Sequence, residues 1–443
     1  MTYLPNADAE RTEMLKALEL DSTDGLFKHL PAALRLDRIE LPEPLSEVEL
    51  VQYFRELGRL NLRIPPSHSF LGAGASRRFS PAIVNQVISR PDFYTTYTPY
   101  QAEASQGTLQ ATYEFQTMIT LLTGLDVANA SLYDGATALA EATAMAVAHT
   151  GRQNVVVAGA LHPEYAQVLQ TYSDAQQYEI IRVASGADGR VDSAKLEQAV
   201  SASTAAVIVQ QPNFFGVLEE PQAISDVAHR AGALLIACVD PISLGVLAAP
   251  GEYGADLAVG DGQPLGIPVS FGGPYVGFIA CKEALMRRMP GRLVGATVDA
   301  QGRRGYVLTL QAREQHIRRE HATSNITTNH ALMAIAATVY LAHMGGEGLK
   351  QLAELSAQRA HHLAALLVER KGYRLAFDGP FLWEFVVHTP YPAEQTQAFM
   401  LERGVLPGLP LGRFFPELPD ALLVSTTELN QPRAIERYLE VLA

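Results

Sequence analysis

The chain has 443 residues, 48% hydrophobic and 18% charged, with a net charge of −13 and two cysteines. That length allows two or three domains around a large core, and the ordinary composition argues against disorder. The acidic balance argues against a dedicated nucleic-acid binder, and two cysteines in so long a chain imply no disulfide framework.

The first 65 residues read as helical and proline-punctuated, a helical arm over 1–65. The opening MTYLPNADAE has neither a basic n-region nor an apolar h-region, so no signal peptide is expected. Leu41-Pro42-Glu43-Pro44 reads as an extended connector. Ser46 with Glu49 forms a capping box before a run with Leu50, Phe54 and Leu57 on one face. Ser80-Pro81 opens a short helix carrying Val84, Val87 and Ile88. From about residue 107 a helix runs to Gly124, and another spans about Thr137 to Gly151. Strand-like runs follow at Val155–Ala158, Tyr178–Val183, Ala205–Val209 and Ala233–Val239, separated by helical segments. Several are apolar throughout, as expected of strands covered on both faces. This repetition predicts an α/β fold with a mostly parallel, doubly wound sheet, in a large domain over 66–327. After about residue 328 come two long helices, short strands near Trp383–His388 and Leu422–Ser425, and a final helix: a small α+β domain over 328–443. Cys238 and Cys281 lie in apolar runs and read as small core hydrophobes. No apolar run approaches the roughly 20 residues that span a bilayer, so a cytoplasmic protein is expected.

Three features could carry chemistry. Tyr133-Asp134-Gly135-Ala136-Thr137 precedes a helix, and its small residues let an anion approach the helix start; an ordinary turn with an Asp cap fits the same residues. His162 follows the strand Val155–Ala158, where parallel strands place ligands; it could stack on a cofactor ring or simply cap a helix. Asp240 ends a buried strand, where a carboxylate needs a partner: a pyridinium, or the N–H groups of the Ser243–Gly245 turn. A Gly254-Ala255-Asp256, a short strand and a Gly-rich loop follow. This layout resembles a pyridoxal-phosphate (PLP) enzyme of fold type I. Such an enzyme needs a lysine near Gln263–Pro264 to hold the cofactor covalently. The six lysines are Lys16, Lys28, Lys195, Lys282, Lys350 and Lys371, and none sits in Asp261–Gly273. There is no GxxxxGK[ST], no HExxH and no dinucleotide fingerprint. The pair His361-His362 on a helix is not expected to bind metal.

Four further strings complete the reading: YTPYQAEASQGTLQATYEFQTMI (97–119), TGLDVANASLYDGATALAEA (123–142), MPGRLVG (289–295) and LTLQAREQHIRREHATSNITTN (308–329). With these the chain resembles, over nearly its whole length, the P-protein of the glycine cleavage system. The absent lysine resembles subunit 1, the α-like half of the two-chain bacterial form. The resemblance implies that a β-like partner carries the PLP lysine and that the pair assembles as α2β2. It implies that the complex decarboxylates glycine and passes the aminomethyl group to the lipoyl arm of the H-protein. Asp134, Gly135, Thr137, His162 and Asp240 would then outline a vestigial PLP pocket, with no catalytic lysine, because Gln263 and Pro264 occupy its place. No metal is expected.

Two surfaces are expected to matter. Tyr97, Tyr100, Gln101, Glu103, Ser105 and Gln106 crowd one polar loop, suited to the edge of a cofactor pocket across a subunit interface; an interface loop with a structural role alone is the other reading. Lys282–Glu320 holds nine Lys/Arg against four Asp/Glu. Its Arg287, Arg288, Arg292, Arg318 and Arg319 could guide an acidic lipoyl carrier, or form intersubunit ion pairs and a solvated face. The rival readings of the whole chain are a structural or regulatory paralogue of a PLP enzyme, and a protein binding PLP or another small ligand non-covalently.

Overall fold

The computed structural model describes residues 7–36 and 39–442. The first six residues, on which part of the leader reading falls, lie outside them. The chain divides into two compact units, Met1–Leu62 and Arg63–Ala443.

In the first unit the capping box forms as expected. Ser46 Oγ accepts the amide of Glu49, and the Glu49 carboxylate accepts the amide of Ser46, opening the helix Glu47–Arg59. Leu50, Phe54 and Leu57 share its apolar stripe and are exposed.

The second unit is built on a seven-stranded sheet. Its strands are β1 (Val127–Ala128), β2 (Asn154–Ala158), β3 (Glu179–Val183), β4 (Thr204–Gln211), β5 (Leu234–Val239), β6 (Leu257–Asp261) and β7 (Gly277–Cys281), in the order β1-β7-β6-β5-β4-β2-β3. Strands β3, β2, β4, β5 and β6 are parallel. Both faces are covered, which explains the unbroken apolar runs. Val207, Val209, Leu235 and Ala237 point into one core with Phe115, Ile119 and Ile224. Their neighbours Ala206, Ile208, Ile236 and Cys238 point into the other, with Leu139, Ala142 and Met145 of the helix Gly135–Thr150. Period-two alternation between two apolar layers reads in sequence as no alternation at all. Strands β7 and β1 are antiparallel additions. No helix separates β6 from β7, so the chain must return in the opposite direction.

The helices end where the sequence indicates. Gly124 and Gly151 close Gln106–Thr123 and Gly135–Thr150 in the left-handed conformation, at φ 66° and 67°. A hairpin of β8 (Leu293–Val298) and β9 (Arg304–Thr309) was not anticipated. It is bound to the helix Gln106–Thr123 by two glutamines: Gln106 bridges Tyr306, and Gln116 bridges Val294, each amide both donating and accepting. The two expected long helices are Ala331–Val368, broken at Gly345. The final element is an antiparallel sheet of β10 (Arg374–Leu375), β11 (Glu384–His388), β12 (Leu409–Pro410) and β13 (Ala421–Ser425), followed by the helix Pro432–Val441. Both cysteines are buried and unpaired. Among the described residues no helix is long and apolar enough to cross a membrane.

Candidate functional site

The chain order reverses around β2, with β3 on one side and β4 on the other. Ligands bind doubly wound sheets at the carboxyl ends of the strands beside such a reversal. A cleft lies there, lined by His162 after β2, Gln210 and Pro212 at the end of β4, Asp240 after β5 and Asp261 at the end of β6. Gly74–Ser76, Trp383 and Glu384 form its other wall. It encloses about 70 Å³, room for a few waters.

Of the five residues expected to outline a pocket, His162 and Asp240 line the cleft and Gly135 adjoins its Asp261 and Tyr165; their polar groups are already engaged. Asp134 caps the helix Gly135–Thr150, its carboxylate accepting the amide of Thr137 at 2.8 Å. The amide of Gly135, the first of that helix, donates to the Asp261 carboxylate at 3.0 Å. The anion at this helix start is therefore the protein's own. Asp240 accepts the amide of Ile242 at 2.8 Å, so the turn after β5 supplies its partner, as one of the two readings held. Burial raises the Asp240 carboxyl above its ordinary range, against the opposing pull of the Arg78 guanidinium.

His162 caps its own helix. Its Nδ1 accepts the amide of Glu164 at 3.1 Å, which leaves Nε2–H to donate to the Ala73 carbonyl at 2.9 Å. Burial lowers its pKa, favouring this neutral tautomer. An aromatic ring does stack on it: that of Tyr165, at 4.7 Å and 29°. The Tyr165 hydroxyl reaches the helix start, where a methyl added to Gly135 would collide with it. Burial pushes that hydroxyl well above its ordinary pKa.

Gln263 does more than fail to be a lysine. Its buried amide donates to the carbonyls of Ser76 and Ile267, at 3.0 and 2.7 Å, and accepts the amide of Ser76 at 3.0 Å. It fastens the segment Gly74–Ser76 to the loop after β6. Pro264 lines the cleft with no polar side chain to offer. No lysine lines this cleft. Lys282, just after antiparallel β7, pairs with Asp256 at 2.7 Å, at the start of β6 and so at the other end of that strand from Asp261.

Sequence reasoning missed three cleft residues, Tyr165, Asp261 and Glu384, and Arg78 behind the Trp383 of its wall. Burial lifts the Asp261 carboxyl to about 7, with the charges of Asp134 and Asp240 adding to the effect. Burial lifts Glu384 to about 7 as well, although it accepts the amide of Ala73. Arg78, its side chain 2% exposed, pairs with Glu428 at 2.9 Å and lies over the Trp383 ring. The only available signal was position: Asp261 closes an apolar strand as Asp240 does.

The tyrosine loop lies on a different surface. Tyr97, Tyr100, Gln101 and Glu103 are exposed, while Ser105 and Gln106 are half-buried at the start of the helix Gln106–Thr123. Tyr97 Oη lies 3.2 Å from Thr328 Oγ1. The Tyr100 ring faces the Arg292 guanidinium at 5.6 Å. The loop is thus brought against two of the strings singled out in the sequence. The arginines separate: Arg287, Arg318 and Arg319 are exposed, Arg288 is half-buried, and Arg292 is buried.

Known proteins place this architecture. The sequence matches the profile of the glycine cleavage system P-protein over residues 1–442. The chain belongs to the glycine cleavage system P-protein family. It is 51% identical over 437 residues to a probable glycine dehydrogenase (decarboxylating) subunit 1 of Desulforamulus reducens, with 98% of each chain covered. Its structure superposes on the inhibitor-bound crystal structure of glycine decarboxylase, a P-protein, with a TM-score of 0.91 and 45% identity, each chain covered in full. The fold alone extends to a sphingosine-1-phosphate lyase from Burkholderia pseudomallei, at TM-score 0.67 and 17% identity over 93% of each chain.

The P-protein relationship sharpens what the cleft lacks. A PLP phosphate would use the amides at Gly135 and Thr137, which carboxylates already hold. A pyridine ring would stack on His162, one face of which Tyr165 already covers. An aldehyde would need an amine where Gln263 is clamped. The residues present do not fit the cofactor.

Proposed function

We propose that this chain is the α-like subunit of a two-subunit glycine decarboxylase, which builds part of an active site rather than carrying its cofactor. PLP, in this reading, is bound covalently on the lysine of the second subunit. The observation that carries the reading is the occupied cleft: amides, ring face and lysine position are each engaged by Asp261, Tyr165 and Gln263. Membership of the P-protein family and identity to subunit 1 relatives support the rest.

The loop 97–106 is the surface that faces the partner's cofactor. Large, rigid aromatic side chains with polar tips suit the rim of such a pocket, and Tyr97 and Tyr100 are 71% and 68% exposed. The chain contributes shape, water exclusion and hydrogen-bonding hydroxyls, while the partner supplies the covalent chemistry. The assembled enzyme is α2β2 in the cytoplasm. It transfers the aminomethyl group of glycine to the lipoyl arm of the H-protein, with Arg287, Arg318 and Arg319 as the exposed basic face toward that carrier.

The test is reconstitution. Purified alone with PLP, the chain gives no visible absorption band. With its lysine-bearing partner, the complex gives the band and exchanges labelled bicarbonate into glycine. A band from the chain alone, or exchange by the partner alone at the full rate, refutes the reading.

A further inference from the structure

Arg292 is a buried charged group without a counter-charge among the described residues. Arg292 is 5% exposed, yet among the described residues its guanidinium has neither an ion-pair partner nor a hydrogen-bond acceptor. The Tyr100 ring, itself open to solvent, lies 5.6 Å from it. A cation over an exposed tyrosine is attracted only weakly, and less than desolvating a guanidinium costs. Buried charges are otherwise paired.

The backbone around Arg292 is fixed from both sides. The Pro290 carbonyl accepts Asn129 Nδ2 at 3.0 Å, and the Gly291 carbonyl accepts Arg313 Nη2 at 3.1 Å. The Arg292 carbonyl accepts the amide of Ala130 at 2.9 Å. Gly291 takes φ 71°, which places the turn where an L side chain would be strained. Such bracing holds the side chain in one place.

A second orphan lies in the facing loop. Thr98 Oγ1 is buried without a hydrogen-bond partner, two residues before Tyr100. Its O–H is a donor, as are all the guanidinium N–H groups. The unpaired guanidinium and this hydroxyl, carried two residues from the tyrosine that lies against Arg292, can both donate to one ligand, and a guanidinium fork matches a planar carboxylate in two parallel hydrogen bonds.

We propose that Arg292 and Thr98 form a carboxylate-recognition site, taking the carboxylate of the small amino-acid substrate where the tyrosine loop meets the partner. The identity of the ligand as glycine rests on the proposed role of that loop. The site itself rests on the unpaired guanidinium and hydroxyl.

The experiment uses the assembled complex and acetate as the carboxylate probe. Acetate binding is followed by NMR, and its inhibition of glycine–bicarbonate exchange is followed kinetically. We expect acetate to compete with glycine. In Arg292→Lys both the acetate Kd and the glycine KM rise about tenfold or more, with kcat changed far less, since a uniform binding contact is removed. Thr98→Val, which is nearly isosteric and leaves Arg292 untouched, shifts both constants in the same direction by a smaller factor. Should the lysine variant fail to assemble, the valine variant still decides. If both variants bind acetate and glycine as the wild type does while Tyr100→Phe slows exchange, the carboxylate site is refuted and the loop reading survives. If acetate binding depends on Arg292 but does not compete with glycine, glycine is refuted as the ligand and the proposal is overturned, while the loop reading stands or falls with the effect of Tyr100→Phe on exchange. If Arg292→Lys instead lowers affinity for PLP or inorganic phosphate with glycine KM unchanged, the site serves a phosphate and the proposal is overturned.

Discussion

The carboxylate of Asp261 accepts the amide of Gly135 at 3.0 Å, joining the end of β6 to the start of the helix Gly135–Thr150. A helix start carries unsatisfied donors and a partial positive charge. In this chain a side chain from the neighbouring strand answers it.

Gly135 sits where nothing larger fits. A methyl at this position would meet the Tyr165 hydroxyl and lie 2.9 Å from the amide of Asp261. Gly135→Ala is therefore expected to lower stability by roughly 1–3 kcal/mol, as overpacking does. A fall in the urea midpoint at constant m would show it; an unchanged midpoint would mean that Tyr165 swings away freely.

Restoring a lysine does not restore a cofactor site. Gln263→Lys loses the acceptor for Ser76 N–H and puts an ammonium where an amide made three hydrogen bonds. Each unsatisfied buried group costs about 1–3 kcal/mol, so the variant should be less stable than the wild type. With PLP it should show no internal absorption band, because Tyr165 and Asp261 remain in place. A stable variant with a visible band contradicts the account of the cleft.

Glu384 makes stability depend on pH. Burial raises its pKa from 4.5 to about 7. Between those values the folded chain holds a proton that the unfolded chain has released, so stability falls as pH rises through this window and levels off above it. Glutamine imitates the protonated form. Glu384→Gln should melt close to the wild type near pH 5 and several degrees above it near pH 8. Asp261, also raised to about 7, should leave a residual slope of the same sign. Parallel melting curves at both pH values would show that Glu384 is not buried as a neutral acid.

The tyrosine hydroxyls separate architecture from catalysis. Tyr97→Phe loses one exposed hydrogen bond to Thr328 and should cost at most about 1 kcal/mol of stability. If the loop lines the partner's site, Tyr97→Phe and Tyr100→Phe complexes should assemble normally and exchange glycine carboxylate more slowly. Exchange at the wild-type rate would leave the loop a scaffold.

Docking of the lipoyl carrier should respond to salt. Arg287, Arg318 and Arg319 are exposed, so their attraction to an acidic partner is screened over about 10 Å at 0.1 M ionic strength. H-protein affinity should fall as salt is raised, through slower association. A flat profile would assign these arginines to a solvated face.

The sheet was legible because β2, β4 and β5 are apolar on both faces and Gly124 and Gly151 mark helix ends. The missing lysine was legible because an absence from a short window needs no geometry. What replaced it was not. Gln263 reads as unable to bond a cofactor, but two of its three hydrogen bonds reach Ser76, 187 residues away in sequence. Tyr165 is one aromatic in the first turn of an amphipathic helix, and nothing in its neighbours says that it turns onto His162. The hairpin β8–β9 lay hidden in a stretch read for its charge. For the same reason Arg292 was grouped with exposed arginines, since spacing reports charge and not burial.

Trp383 is the single tryptophan of the chain, and it stands in the wall of the cleft against Arg78. Red-edge fluorescence therefore reports on this one place. Emission that shifts when the partner binds would reveal strain transmitted to the filled cleft, and emission that stays fixed would mark the cleft as a rigid keel. The protein carries its own optical probe in the wall of this cleft.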